Sequence, residues 1–291
     1  MFVISPRIYV KEKTVKAKVV IVFLLVILLS VGTVYAAPTA LYSEQLVVGS
    51  SQGNHELDCT VIRPWRSSKG PGKIQYPVII WANGWFGNDV DGEYATDWYK
   101  PMLIDWALDG PYIVVASNAW SAQESDVLNC LQWIVDQNDV TGSEYEGVVN
   151  TDKIGLAGHS QGAGAVVKAG DGEPNGFEIT TVLAMNPYGP SWVSAANQDG
   201  PVMVLTGALD EVTPYSWTYP VFEAVQTNDQ GGLYAVHQDA GHSDLHYYQE
   251  VVMLWWQYKL NDADVGQTLK DILDNNPWET QYAFTANFEL P

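Results

Sequence analysis

The chain has 291 residues, 47% of them hydrophobic and 12% aromatic, which is enough apolar side chain to bury a large core and, with twelve tryptophans, excludes a disordered protein. Its 14 basic residues against 34 acidic ones give a formal charge of −20, which disfavours nucleic acid and anionic membranes as partners. The length alone fits one large domain or two small ones.

The N-terminal segment reads apart from the rest. Lys11, Lys13, Lys16 and Lys18 precede the apolar run "VVIVFLLVILLSVG", and Val34 and Ala36 in "TVYAAPTA" sit where a signal peptidase needs small residues. Residues 1–36 are therefore expected to be a signal peptide cleaved after Ala36, with an uncleaved anchor as the alternative. The expected destination is outside the cell or in its envelope. The leader holds five of the basic residues and one of the acidic ones, so residues 37–291 keep nine and 33, a formal charge of −24. Such a surface keeps a protein soluble, sets no membrane contact after cleavage, and suits a salty medium that screens its self-repulsion. A monomer is expected.

From there the chain alternates short apolar runs with amphipathic ones. Strands are expected at "HELDCTVIRP", "YPVIIWA", "PYIVVAS", "DKIGLAGHS", "TTVLAMN", "PVMVLTG" and "LYAVHQ". Helices are expected at "SDVLNCLQWIVDQ", "GAGAVVKAG", "YPVFEAVQT" and "YYQEVVMLWWQYKL", with one more in "NDADVGQTLKDILDNNPW". No repeat or long linker divides residues 37–291, so they read as a single α/β domain. Its sheet is expected to be mostly parallel, with helices on both faces and working residues at the carboxyl ends of the strands. No segment is long enough for a large lid. The tail "ETQYAFTANFELP" carries no functional signal.

One stretch carries chemistry. "AGHSQGAGA", residues 157–165, contains Gly158-His159-Ser160-Gln161-Gly162, a G-x-S-x-G pattern that chance supplies about 0.1 times in a chain of this composition. Its context makes it specific: the apolar strand "KIGLAG" before it and the small-residue helix after it form the strand–turn–helix unit that lifts a nucleophilic serine above a sheet. Ser160 is the expected nucleophile, and glycines at 158 and 162 are expected because the turn leaves no room for side chains there.

A serine needs a base and a group that orients the base, and in this architecture they follow in the order Ser, Asp or Glu, His. His242, in the loop "DAGHSD" after a strand, is the expected base. His237 belongs to that strand and reads as packing, and His246 as the start of the next helix. His242 and His246 have a metal-ligand spacing, but no third ligand is evident, so neither metal nor cofactor is expected. Asp210, just beyond "VMVLTG", is the expected acid, in preference to Glu211 and Asp239. The oxyanion of acyl transfer requires two preorganised N–H donors, expected from the amides of Gln161 and of Trp85 in "IIWANGWFG". Trp85, Trp120, Tyr188 and Trp192 fall at or just after strands and could line a groove for bulky or aromatic acyl groups.

Two further features stay open. Cys59 and Cys130 are either a disulfide, as export would favour, or two buried thiols. Residues 88–97, "NDVDGEYATD", gather carboxylates that could hold calcium, but lack the full calcium-loop pattern and read better as a solvated acidic loop.

From about residue 56 to 260 the chain resembles the α/β-hydrolase superfamily, and within it the bacterial cutinase-like polyester hydrolases and their dienelactone-hydrolase relatives. The resemblance rests on "CTVIRP", "YPVIIWANGWFG", "YIVVAS", "VNTDKIGLAGHSQGAGA", "VLAMNPYGP", "PVMVLTGALDEVTP" and "AGHSDL", in that order. It implies an exported serine esterase acting through an acyl-enzyme on neutral small-molecule or polymeric esters. In it Ser160 is nucleophile, His242 base and Asp210 its orienter; Trp85 and Gln161 form the oxyanion hole, and Trp85 and Tyr188 flank the acyl site. An amidase or peptidase on the same fold, and a catalytically silent binding protein, are the alternatives. The chain departs from the polyester hydrolases in having Gln161 where methionine is usual, Tyr188 where many have tryptophan, and Asn83-Gly84 where Pro-Gly is usual.

Overall fold

Apolar runs too short for helices and bounded by Gly, Pro and Asn become the strands of one nine-stranded sheet, ordered β1-β2-β4-β3-β5-β6-β7-β8-β9. The computed structural model describes residues 42–52, 55–64, 74–85, 95–172, 176–189, 194–227, 229–286 and 288–291, all within one unit, Ala40–Pro291. The leader, Trp192 and most of the acidic stretch 88–97 lie outside the described residues.

The strands are β1 (Tyr42–Gln52), β2 (His55–Pro64), β3 (Tyr76–Ala82), β4 (Ile113–Ser117), β5 (Val149–His159), β6 (Thr181–Met185), β7 (Val202–Gly207), β8 (Gly232–His237) and β9 (Trp278–Ala283). Pairing is parallel from β4 through β3 and β5 to β8, while β1, β2 and β9 add antiparallel edges. The helices are α1 (Lys100–Asp109), α2 (Glu124–Asp139), α3 (Gln161–Ala169), α4 (Tyr215–Val225), α5 (Gln249–Leu260) and α6 (Gly266–Leu273).

The period of two in β3 shows how the layers arise. Val78, Ile80 and Ala82 point to one core, shared with Val127 and Leu131 of α2, Val166 of α3 and Phe222 of α4. Ile79 and Trp81 point to the other, shared with Leu103 and Trp106 of α1, Trp255 and Trp256 of α5, and Leu269 and Leu273 of α6. Burial on both faces is why these strands are continuously apolar rather than alternating.

All seven expected strands and four of the five expected helices are present, but four elements differ from the sequence reading. β1 and α1 were not foreseen. The amphipathic stretch 261–278 is helical only over Gly266–Leu273, and the chain then turns into β9, with Trp278 pairing with His237. Cys59 of β2 and Cys130 of α2 form a disulfide, resolving the open alternative. No helix among the described residues is long and apolar enough to cross a membrane.

Candidate active site

The carboxyl end of β5 runs into α3 through a single residue, Ser160, whose backbone sits at φ 55 and ψ −120. A non-glycine residue in that region costs about 1–3 kcal/mol, so the surroundings must impose it. They do so by close packing: a methyl group at Gly158 would lie 2.4 Å from the Gly162 carbonyl oxygen, and one at Gly162 would lie 2.2 Å from that of Ala82. The expectation that the elbow requires glycine at both positions therefore has a direct steric cause. The Ser160 amide donates to Met185 O, and the Ser160 carbonyl accepts from Tyr188 N at 3.0 Å, which ties the turn to the end of β6.

The loops after β7 and β8 bring the other two residues to this point. Ala208 N donates to His237 O and Leu209 N to Ala240 O, so the two loops are cross-linked by backbone hydrogen bonds. His242 Nε2 lies 3.0 Å from Ser160 Oγ, and His242 Nδ1 lies 2.8 Å from Asp210 Oδ2. Asp210 has its side chain fully enclosed. Its Oδ1 accepts from the amides of Val212 at 2.8 Å and Thr213 at 2.7 Å, and its Oδ2 accepts from the Thr213 hydroxyl at 2.6 Å. Burial works to raise the pKa of this carboxyl, but the hydrogen bonds from His242 and Thr213 outweigh it and hold it below the usual carboxylate range. An ionised Asp210 can only accept, so His242 Nδ1 carries a proton and Nε2 presents a lone pair to Ser160 O–H.

The other sequence-singled residues are distributed around this line. Glu211 and Asp239 are exposed, and the carboxylate on His242 Nδ1 is that of Asp210. His237 stacks on Tyr247 at 4.6 Å and meets Trp278 edge-on at 4.8 Å, as packing. His246 lies in a short 3₁₀ turn against Tyr247. The chain segment Asn83–Trp85 passes over the elbow: a methyl group at Gly84 would sit 3.1 Å from Ser160 Cβ. Asn83 is wholly buried, accepts from Trp81 Nε1 at 2.7 Å, and donates to Ser117 O and to the Thr96 hydroxyl, joining the ends of β3 and β4. That network gives a structural reason for asparagine before Gly84. The amides of Trp85 and Gln161 have no hydrogen-bond partner among the described residues; for Gln161 this follows from its place as the first residue of α3.

The aromatic residues divide. Trp85 is 68% exposed and Tyr188 is 45% exposed, whereas Trp120 is half-buried. Trp217 of α4, which the sequence did not single out, is 49% exposed and packs edge-on against Tyr188 at 5.5 Å. Leu209 and Val212, on either side of Asp210, are also exposed. The two neighbours of Ser160 in sequence open into different hollows. Gln161 and Tyr188 border a groove of about 760 Å³ that continues past Ala165 and Leu128 to Lys168. His159 and Ser243 border an apolar hollow of about 330 Å³ shared with Trp98, Met102 and Leu245.

Sequence reasoning also missed Thr213, Asn186 and Tyr99. Thr213 had a local signal, since an aspartate three residues before a threonine readily closes a turn through its own backbone. Asn186, at φ 47, follows directly on β6, and its side chain donates to His242 O at 2.7 Å. Tyr99 had no local signal at all. The arrangement as a whole can remove a proton from a serine hydroxyl and hold the resulting imidazolium against a buried carboxylate. Compared with known proteins, the chain matches no family model and no curated protein.

Proposed function

We propose that the protein is an exported serine carboxylic ester hydrolase with an α/β-hydrolase fold, acting through an acyl-enzyme on neutral esters with bulky or aromatic acyl groups. The observation that carries this reading is the unbroken hydrogen-bonded line Ser160–His242–Asp210, drawn from the ends of β5, β8 and β7. His242 takes the Ser160 proton as the oxygen attacks the ester carbonyl, the amides of Trp85 and Gln161 hold the oxyanion, and His242 returns the proton to the leaving alcohol. Water activated by the same histidine then releases the acid. Each oxyanion donor is worth about 3 kcal/mol to the transition state.

The exposed aromatic rings of Trp85, Tyr188 and Trp217 favour bulky, uncharged acyl groups, and the acidic surface disfavours anionic substrates while aiding departure of the carboxylate product. Within that class we favour a cutinase- or polyester-hydrolase-like activity, including aromatic polyesters such as polyethylene terephthalate. The Cys59–Cys130 disulfide supports an oxidising compartment and hence export. Hydrolysis of a short-chain p-nitrophenyl ester by the wild type and by Ser160→Ala tests the reading. A large loss in the variant is expected, and equal rates would remove Ser160 from the mechanism. Release of soluble acid from polyester film tests the polymer activity; cleavage of small esters with film left intact would restrict the enzyme to small substrates.

A further inference from the structure

His159 is buried directly beneath the site, yet the reaction as drawn has no use for it. Its ring lies 4.7 Å from that of His242, centroid to centroid, and its two nitrogens are both occupied. Nε2 is 2.7 Å from the backbone carbonyl oxygen of His242, and Nδ1 is 2.8 Å from the Tyr99 hydroxyl. Tyr99, also buried, accepts from the amide of Gly84 at 3.3 Å.

The protons in this chain can be assigned. A carbonyl oxygen only accepts, so Nε2 must carry hydrogen. Burial, reinforced by the neighbouring His242, pushes the His159 pKa down to about 3, so the ring is neutral at working pH and Nδ1 is bare. The Tyr99 hydroxyl therefore donates to Nδ1 and has a lone pair left for Gly84 N–H. The connected sequence is Gly84 N–H to Tyr99 O–H to His159 Nδ1, then His159 Nε2–H to His242 O.

The ends of this chain are what give it meaning. Gly84 precedes Trp85, the proposed oxyanion donor, and His242 is the proposed base; His159 is anchored on the same backbone as Ser160. We propose that Tyr99 and His159 are positioning residues that lock the Asn83–Trp85 segment and the His242 loop into one register around the nucleophile. The proposal rests on the ester-hydrolase reading of Ser160, His242 and Asp210. The same carbonyl of His242 also accepts from Asn186 Nδ2, whose Oδ1 accepts from Tyr248 O–H at 3.0 Å. The base is thus gripped through its own main chain from two sides, while its imidazole stays free to shuttle a proton. Neither Tyr99 nor His159 touches the reacting atoms, so both act on the rate through the geometry of others.

Removing the Tyr99 hydroxyl deletes one oxygen and leaves the ring packed 4.8 Å from Trp81. The experiment is steady-state p-nitrophenyl butyrate kinetics with thermal melts on the wild type, Tyr99→Phe, His159→Leu, His159→Gln and the double variant Tyr99→Phe/His159→Leu. Tyr99→Phe is expected to lower kcat about tenfold, with KM within about twofold and the melting midpoint changed by only a few degrees. The double variant is expected to lose no more than His159→Leu alone, because one chain can be broken only once. His159→Gln, which keeps a donor for the His242 carbonyl, is expected to recover part of what His159→Leu loses. An unchanged kcat in Tyr99→Phe, multiplicative losses in the double variant, or a rate loss that merely follows the folded fraction would each overturn the proposal. If His159→Leu does not fold, Tyr99→Phe and His159→Gln decide it: an unchanged kcat in both overturns it. Wild-type protein without Ser160-dependent ester turnover would overturn the functional reading and this one with it.

Discussion

Asp210→Asn isolates the electrostatics of the triad from its architecture. Oδ1 accepts from the amides of Val212 and Thr213, so the asparagine carbonyl oxygen must take that position and its amide nitrogen must face His242 and the Thr213 hydroxyl. The hydroxyl can adapt: it lies 3.2 Å from Asn186 O and can donate there while accepting from the new amide. His242 cannot adapt without consequence. Facing a donor, Nδ1 must become an acceptor, so the ring proton moves to Nε2 and points at Ser160, and the base has no lone pair for the serine proton. The expected loss in kcat is about 10⁴-fold, or about 5.5 kcal/mol at 1.36 kcal/mol per tenfold. The loss in stability is expected to be only about 1–2 kcal/mol, because every backbone donor keeps its acceptor. Stopped p-nitrophenyl ester assays and calorimetry on the same preparation measure both quantities. A folded variant with kcat within about tenfold of wild type would refute the tautomer argument.

Three more outcomes follow from particular contacts. The disulfide closes a loop between residues 71 apart, so the variant Cys59→Ala/Cys130→Ala should lose about 4 kcal/mol and roughly 10 °C in melting midpoint; an unchanged midpoint by calorimetry would contradict this. Gly162→Ala, whose methyl would meet the Ala82 carbonyl oxygen at 2.2 Å, should shift the urea midpoint down by an amount equivalent to about 3 kcal/mol, and an unaltered midpoint would show that the elbow can relax. His159, neutral when folded with a pKa near 3 against about 6.5 unfolded, takes up a proton only on unfolding between those values. Stability should therefore be free of this penalty above about pH 6.5 and decline as pH falls toward 3, by about 4–5 kcal/mol in all; His159→Gln should flatten that slope in urea titrations across pH, and an identical slope would count against a buried neutral imidazole.

The central strands were legible because burial on both faces writes itself as unbroken apolar runs, and "YPVIIWA" or "PVMVLTG" can hardly be anything else. The residues of the Ser160–His242–Asp210 line were legible for a related reason: Ser160 directly follows such a run, and Asp210 and His242 lie three and five residues beyond the ends of two others. What escaped was held together at a distance. β9 has the mixed composition of an edge strand, and "WETQYA" looks like tail until its pairing with β8 is known. α1 has no strong apolar stripe, because Leu103 and Trp106 are deeply buried while its other positions are mixed. Tyr99 lies 60 residues from its partner His159, and no local pattern could link them. The hydrogen bond from His159 to the His242 main chain likewise spans 83 residues.

The strand order places Ser160 at the end of the middle strand of nine, with four on either side, whereas Asp210 leaves from β7 and His242 from β8, the neighbour of the edge strand β9. Sheets open from their edges, where one side of each strand is unpaired, and the centre is the last to yield. Release of β9 would free Trp278 from His237, on the strand that leads to the His242 loop, while the strained turn at Ser160 remained clamped between β3 and β6. Mild heating or low denaturant would then displace the His242 loop with Ser160 still in place. If Ser160 and His242 act as proposed, loss of activity and global unfolding would be two events, ordered by distance from the middle of the sheet.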